Sequence, residues 1–201
     1  MTQASTVAKR NCTHTHSPTV QQLIDRFTLS NHPEGGFYRE TYRSEQNVTL
    51  VETSSSVSKQ RSANTAIYFL ICPGHLSRLH RIQSDEIWHF YLGSPLKVVE
   101  VGHEFPSMFK ETVLGQDIFN GQLVQYTVKG GTWFGCYPAD DLQDTTTNAA
   151  EDASGHIYSF VGCTVAPGFE FSDFELASRA KLLEEYPKAS DVIIKLTHGL
   201  P

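Results

Sequence analysis

The chain is poor in most of the features that would place it in a special class. Its four cysteines, Cys12, Cys72, Cys136 and Cys163, are too few and too scattered to staple a disulfide scaffold, and no Cys-x-x-Cys pair marks a zinc or redox site. Three of them, Cys72, Cys136 and Cys163, sit in apolar runs and are expected to be buried free thiols. Basic residues are also short. Lys and Arg number 16 against 22 Asp and Glu, a net charge of −6 that lacks the positive footprint phosphate backbones demand, so nucleic acid is excluded as a partner. No stretch approaches the roughly 18 consecutive apolar residues of a membrane span. Residues 1–17 are polar and have no apolar centre of a secretory signal. These absences predict a soluble protein of the reducing cytoplasm, with the nucleus as a second compartment, and no membrane partner.

What is present is material for a core. Hydrophobic residues make up 39% of 201, with 12 Phe and 8 Tyr, which argues against wholesale disorder. Residues 1–16 hold little to bury and read as a disordered tail, His14 and His16 included. Ser17-Pro18 then reads as N-cap and first helical position, followed by Val20, Leu23, Ile24 and Phe27 at helical spacing, which predicts a helix over 18–29. Beyond Gly35-Gly36 the period shortens. Strands are expected over 37–43, 65–71, 79–82, 87–92, 96–101, 109–114, 124–128, 132–136 and 157–165, punctuated by Pro73-Gly74, Gly93-Ser94-Pro95, Asn120-Gly121 and Gly130-Gly131.

Many short strands with no helices between them argue an antiparallel sandwich or barrel. The Ser/Thr-rich segment 44–64 reads as a long loop, and the acidic segment 140–155 as a solvated excursion. Two short helices, 180–186 after Ser178 and 191–197 after Ser190, close one domain running over 17–201.

One segment concentrates polar groups among apolar ones. From Gly74 to Gly93 the spacing resembles the first cupin motif, G-x5-H-x-H-x3-E-x6-G: Gly74, His80, Glu86 and Gly93 fall on its positions, and Ile82 replaces the second histidine. Lys129 to Phe134 resembles the second motif, P-x-G-x-x-H, with Gly131 in place and Phe134 where the third histidine would stand. Three further blocks extend the likeness. His32-Pro33-Glu34-Gly35-Gly36-Phe37-Tyr38-Arg39-Glu40, the run from Ser84 to Tyr91, and the run from Val161 to Leu176 resemble the signature of the fifth cupin family, a domain of unknown function. The resemblance implies an all-β fold, the cupin double-stranded β-helix or jelly-roll barrel, with an N-terminal helix, short C-terminal helices and assembly as a homodimer.

In a metal-binding cupin three imidazoles and a carboxylate converge on one ion, and here Ile82 and Phe134 have no lone pair to donate. His80 and Glu86 alone leave such a site two ligands short. No cofactor is expected, and a retained metal would need His80, Glu86 and His89, the last only if a bulge reverses its direction. Strand alternation places Arg78, His80 and Ile82 on one face, and Glu86, Trp88 and Phe90 on another.

Three functions follow. A small-molecule ligand could sit in the barrel against Ile82, Trp88, Phe90, Phe134 and Tyr126, with Arg78 either meeting an anionic group on it or pairing with Glu86. Alternatively His80 and Glu86 form a base and its orienter in a metal-independent sugar or small-acid epimerase or isomerase, with Tyr158 or Tyr126 as the acid. A metal-dependent cupin enzyme is the third possibility. Phe169, Phe171, Phe174 and Leu176 read as packing that seats the C-terminal helices.

Overall fold

The computed structural model describes residues 17–51, 58–139 and 157–199. The 1–16 tail with Cys12, His14 and His16, and the 140–155 segment, lie outside the described residues. The chain opens with helix α1 (Val20–Phe27), whose N-cap is Thr19 and not Ser17. Thr19 and Gln22 form a reciprocal capping box, each side chain bonding the other's backbone N–H, so two otherwise orphaned donors are satisfied.

Thirteen strands follow among the described residues: β1 (Ser30–Asn31), β2 (Phe37–Arg43), β3 (Asn47–Val51), β4 (Ser58–Ser62), β5 (Thr65–Ile71), β6 (Ser77–Arg81), β7 (Asp85–Gly93), β8 (Leu96–Val101), β9 (Phe109–Leu114), β10 (Gln125–Val128), β11 (Trp133–Pro138), β12 (Ser159–Ala166) and β13 (Glu175–Leu176). Helices α2 (Arg179–Glu185) and α3 (Ser190–Leu196) end the chain. Ser178 stands at the N-cap of α2 as expected, whereas Ala189 precedes α3 and Ser190 is already helical.

The segment expected as a loop over 44–64 is instead a hairpin, with β3 pairing β4 antiparallel. Its Thr, Val and Gln residues alternate well enough to pair once a neighbouring segment anchors them. The other strands form two sheets, in the orders β1-β2-β5-β12-β7-β10 and β13-β6-β11-β8-β9. All their named pairings are antiparallel, which gives the jelly-roll sandwich.

Three apolar clusters fix the layers. The first lies between the sheets and includes Phe69, Ile82, Trp88, Phe90, Phe134, Val161 and Cys163. The second joins Leu79, Val99 and Trp133 on the outside of the five-stranded sheet to Leu182, Ile193 and Leu196 of the C-terminal helices. The third joins α1, through Leu23, to Leu70, Cys72, Tyr158 and Phe160 on the outside of the six-stranded sheet. Burying a Leu or Phe side chain contributes about 2 kcal/mol, so each helix is held by its apolar stripe more than by its own short length. Cys72, Cys136 and Cys163 are buried free thiols.

Candidate functional site

Between the sheets one end of the sandwich stays open, leaving a cavity of about 310 Å³. Register explains its walls. Thr65, Ile67 and Phe69 of β5 face inward, and so do their cross-strand partners Arg43, Glu40 and Tyr38 on one side and Val165, Cys163 and Val161 on the other. Cys163 and Val165 in turn pair with Trp88 and Glu86 of β7.

His80 approaches from the opposite sheet. It sits on β6 beside Phe134, with ring centroids 4.2 Å apart. Glu34 enters from the β1–β2 turn, and its position follows from Gly35 and Gly36. Gly35 has φ +118, and a Cβ there would lie 2.1 Å from the Leu76 carbonyl oxygen, so only glycine lets the turn press against the chain before β6. The Glu34 carbonyl accepts from Arg78 N at 2.9 Å, locking the turn there. Phe169, Phe171 and Phe174 complete the wall, with Phe171 half exposed at its edge.

The model of the cupin superfamily family DUF985 matches residues 21–177. The chain belongs to this family. It is 28% identical to an uncharacterized protein of Saccharomyces cerevisiae over 164 residues, 77% of this chain and 73% of the yeast protein. Solved structures of a hypothetical protein from Leishmania major and a protein from Shewanella oneidensis resemble it with TM-scores of 0.72 and 0.70. Both are 35% identical to this chain and cover 89% of it, with 98% and 97% of their own lengths matched.

The inner end of this cupin's cavity holds a closed polar network. Ser77 Oγ donates to Glu34 Oε1 at 2.7 Å, Glu34 Oε2 lies 3.3 Å from His80 Nε2 and 3.4 Å from His32 Nδ1, and His80 Nδ1 meets the Arg78 carbonyl at 2.7 Å. The carbonyl can only accept, so Nδ1 carries the proton and Nε2 of neutral His80 presents its lone pair to Glu34. Burial favours the uncharged forms. It pushes His80 down to about 4, against a smaller upward pull from the Arg78 carbonyl, and lowers His32 despite Glu34 beside it. It raises Glu34, and raises Glu86 to about 8, with Glu34 adding repulsion and a hydrogen bond with Cys163 opposing.

Of the expected site residues, His80, Glu86, Ile82 and Trp88 line the cavity. Phe134 and Phe90 belong to the surrounding core, Phe134 directly behind the His80 ring. Three expectations are corrected. Arg78 does not line the cavity; its guanidinium donates to the Pro33 carbonyl at 3.4 Å and pairs with no carboxylate among the described residues. The cause is a bulge in β6: Phe134 and Cys136, two apart on β11, oppose His80 and Ser77, three apart. The extra residue reverses the alternation, so Ser77 and not Arg78 shares the inner face with His80.

Tyr158 lies in the cluster under α1, its hydroxyl unpartnered among the described residues, and cannot reach His80. Tyr126 packs against the core from β10, donating to Glu100 and accepting from Lys110 at 2.6 Å, outside the cavity. The tyrosine that does line it is Tyr38.

His89 keeps the outward direction that alternation gives it, with its ring nitrogens 3.1 Å from Thr164 and 3.2 Å from Gln125. The set His80, Glu86 and His89 is therefore not assembled. Among the described residues no group of three His, Cys, Asp or Glu is arranged to hold a metal ion. The donors present do not fit the metal set of the superfamily.

Sequence reasoning missed Glu34, His32 and Ser77, and it read Phe169, Phe171 and Phe174 as packing for the C-terminal helices, whereas they wall the cavity. The signal for Glu34 was an acid between proline and two glycines in a turn, where strand alternation has no meaning.

Proposed function

We propose that this cupin binds a small, largely apolar molecule inside the barrel without a metal, and that the His80–Glu34 pair anchors the ligand's polar group. The observation that carries this is the aromatic-walled cavity itself, open at one end and lined at the other by the polar side chains of His80 and Glu34. Trp88 Nε1 adds an N–H that has no acceptor among the described residues, the kind of group a ligand oxygen satisfies. The anionic ligand group expected from Arg78 finds no support, because that guanidinium is outside the cavity.

A second reading rests on one contact. His80 Nε2 and Glu34 Oε2 at 3.3 Å form a donor–acceptor pair able to pass a proton, which is what an isomerase needs. Binding is the better supported of the two, since the lowered basicity of His80 makes it a weak proton acceptor at neutral pH.

The test is a thermal-shift and calorimetric screen of small molecules on wild type, Ile67→Trp and Tyr158→Phe. Filling the cavity with tryptophan is expected to abolish binding of every hit, and Tyr158→Phe to leave it unchanged. Binding that survives Ile67→Trp would move the ligand out of the barrel. Solvent-deuterium exchange into a bound hit, present in wild type and lost in His80→Ala, would establish the isomerase in place of the binder.

A further inference from the structure

The charge inside the cavity has a sign. Four of its lining side chains are carboxyl groups, Glu34, Glu40, Glu86 and Glu170, and one is a guanidinium, Arg43. Arg43 is already committed. It forks onto Glu40 at 3.0 and 2.7 Å and reaches Glu170 at 2.9 Å, so the mouth carries two carboxylates on one cation. Deeper in, Glu86 is more than nine-tenths buried, and among the described residues its ion-pair partners include no Lys or Arg. Its side-chain neighbour is the Cys163 thiol, which supplies no charge. On the same wall stand the faces and edges of Trp88 and Phe69, their centroids 6.0 Å apart. Aromatic faces attract cations, and the buried Glu86 carboxyl, neutral while no cation is beside it, gives up its proton when an ammonium enters to pair with it. An anion entering this barrel meets a negative mouth and then an unpaired acid.

Resting on the reading that the barrel binds a small molecule, we propose that its ligand carries a protonated amine, held between Glu86 and the rings of Trp88 and Phe69, and that anions of the same size are rejected.

Three probes of one shape separate the charges: benzylamine, benzyl alcohol and benzoate, titrated into the full chain near neutral pH. Benzylamine is expected to bind about tenfold more tightly than the alcohol, and benzoate more weakly than either. Glu86→Gln, nearly the same shape, is expected to remove the amine's advantage over the alcohol, whereas Tyr158→Phe, in the cluster under α1 and outside the barrel, keeps the order. Equal or tighter binding of the alcohol or of benzoate by wild type overturns the proposal whatever the variants do, and so does an amine preference that survives Glu86→Gln. If other neutral or anionic molecules enter the barrel and benzylamine does not, the amine is wrong and barrel binding stands. Should no molecule of any charge bind, both readings fall.

Discussion

Glu86 shows how much one side chain in this cupin depends on its surroundings. A carboxyl that would ionise near 4.5 in an unfolded chain is raised to about 8 by burial, so the fold holds it protonated through neutral pH. As pH rises the unfolded chain releases that proton first. The stability contributed by the protonated form is thus fully present below 4.5 and lost as pH climbs toward 8. Glu86→Gln cannot ionise and escapes that loss. Urea unfolding is expected to find variant and wild type equal near pH 4 and the variant more stable by a few kcal/mol above pH 8. A difference that stays constant with pH would mean Glu86 is not held protonated. His80 behaves in the opposite sense: held neutral with its value lowered to about 4, it costs stability as pH falls from its ordinary 6.5 toward 4. Both side chains stood out in the sequence through motif spacing. Glu34, which completes their network, did not, because its direction is set by a glycine turn pressed on the Leu76 carbonyl and not by any period.

At the scale of elements, two bulges decide which residues reach the cavity. In β2, Glu40 and Tyr42 oppose the consecutive Ile67 and Ala66, so the alternation reverses at Thr41 and Arg43 turns inward while Tyr42 is left exposed. The bulge in β6 does the same for Ser77 and Arg78. Strand existence was legible from turn residues and alternation, but a bulge has no composition of its own and shows only in pairing.

The hairpin β3–β4 matters for a related reason. Its buried Arg61 forks onto Asp173 at 2.9 and 2.8 Å, Lys59 joins the same carboxylate, and the Ser62 carbonyl accepts from Gly168 N at 2.7 Å. These contacts hold the segment that carries Phe169, Phe171 and Phe174 over the cavity. Asp173→Ala strands two cations, one of them buried, and is expected to cost about 3 kcal/mol in chemical denaturation and to weaken retention of any barrel ligand. A loss below about 1 kcal/mol with unchanged binding would show that the clamp does not hold that wall.

For the molecule as a whole, the open question of assembly has a structural focus. β2 is covered by β5 on one side and only by the two-residue β1 on the other, which leaves its edge free over 39–43 among the described residues. A free edge is a template for pairing, and the homodimer implied by the family resemblance is expected to use it. Sedimentation at micromolar concentration should find a species of about twice 22.5 kDa, and a monomer would remove the dimer. No helix among the described residues is long and apolar enough to cross a membrane. The sequence by itself determined most of the strands, the turns between them, the three helices and the family, because each rests on local propensity or on residues at fixed spacing, whereas β3 and β4 read as a loop and the caps of α1 and α3 fell on other residues. Only the tertiary structure decided the site. His80 and Glu86 belong to facing sheets, Glu34 comes from a turn more than forty residues from Ser77, and Arg78 and Tyr158 are turned or carried away. Convergence of that kind depends on long-range pairing and on where the register slips, and neither is written in the local pattern.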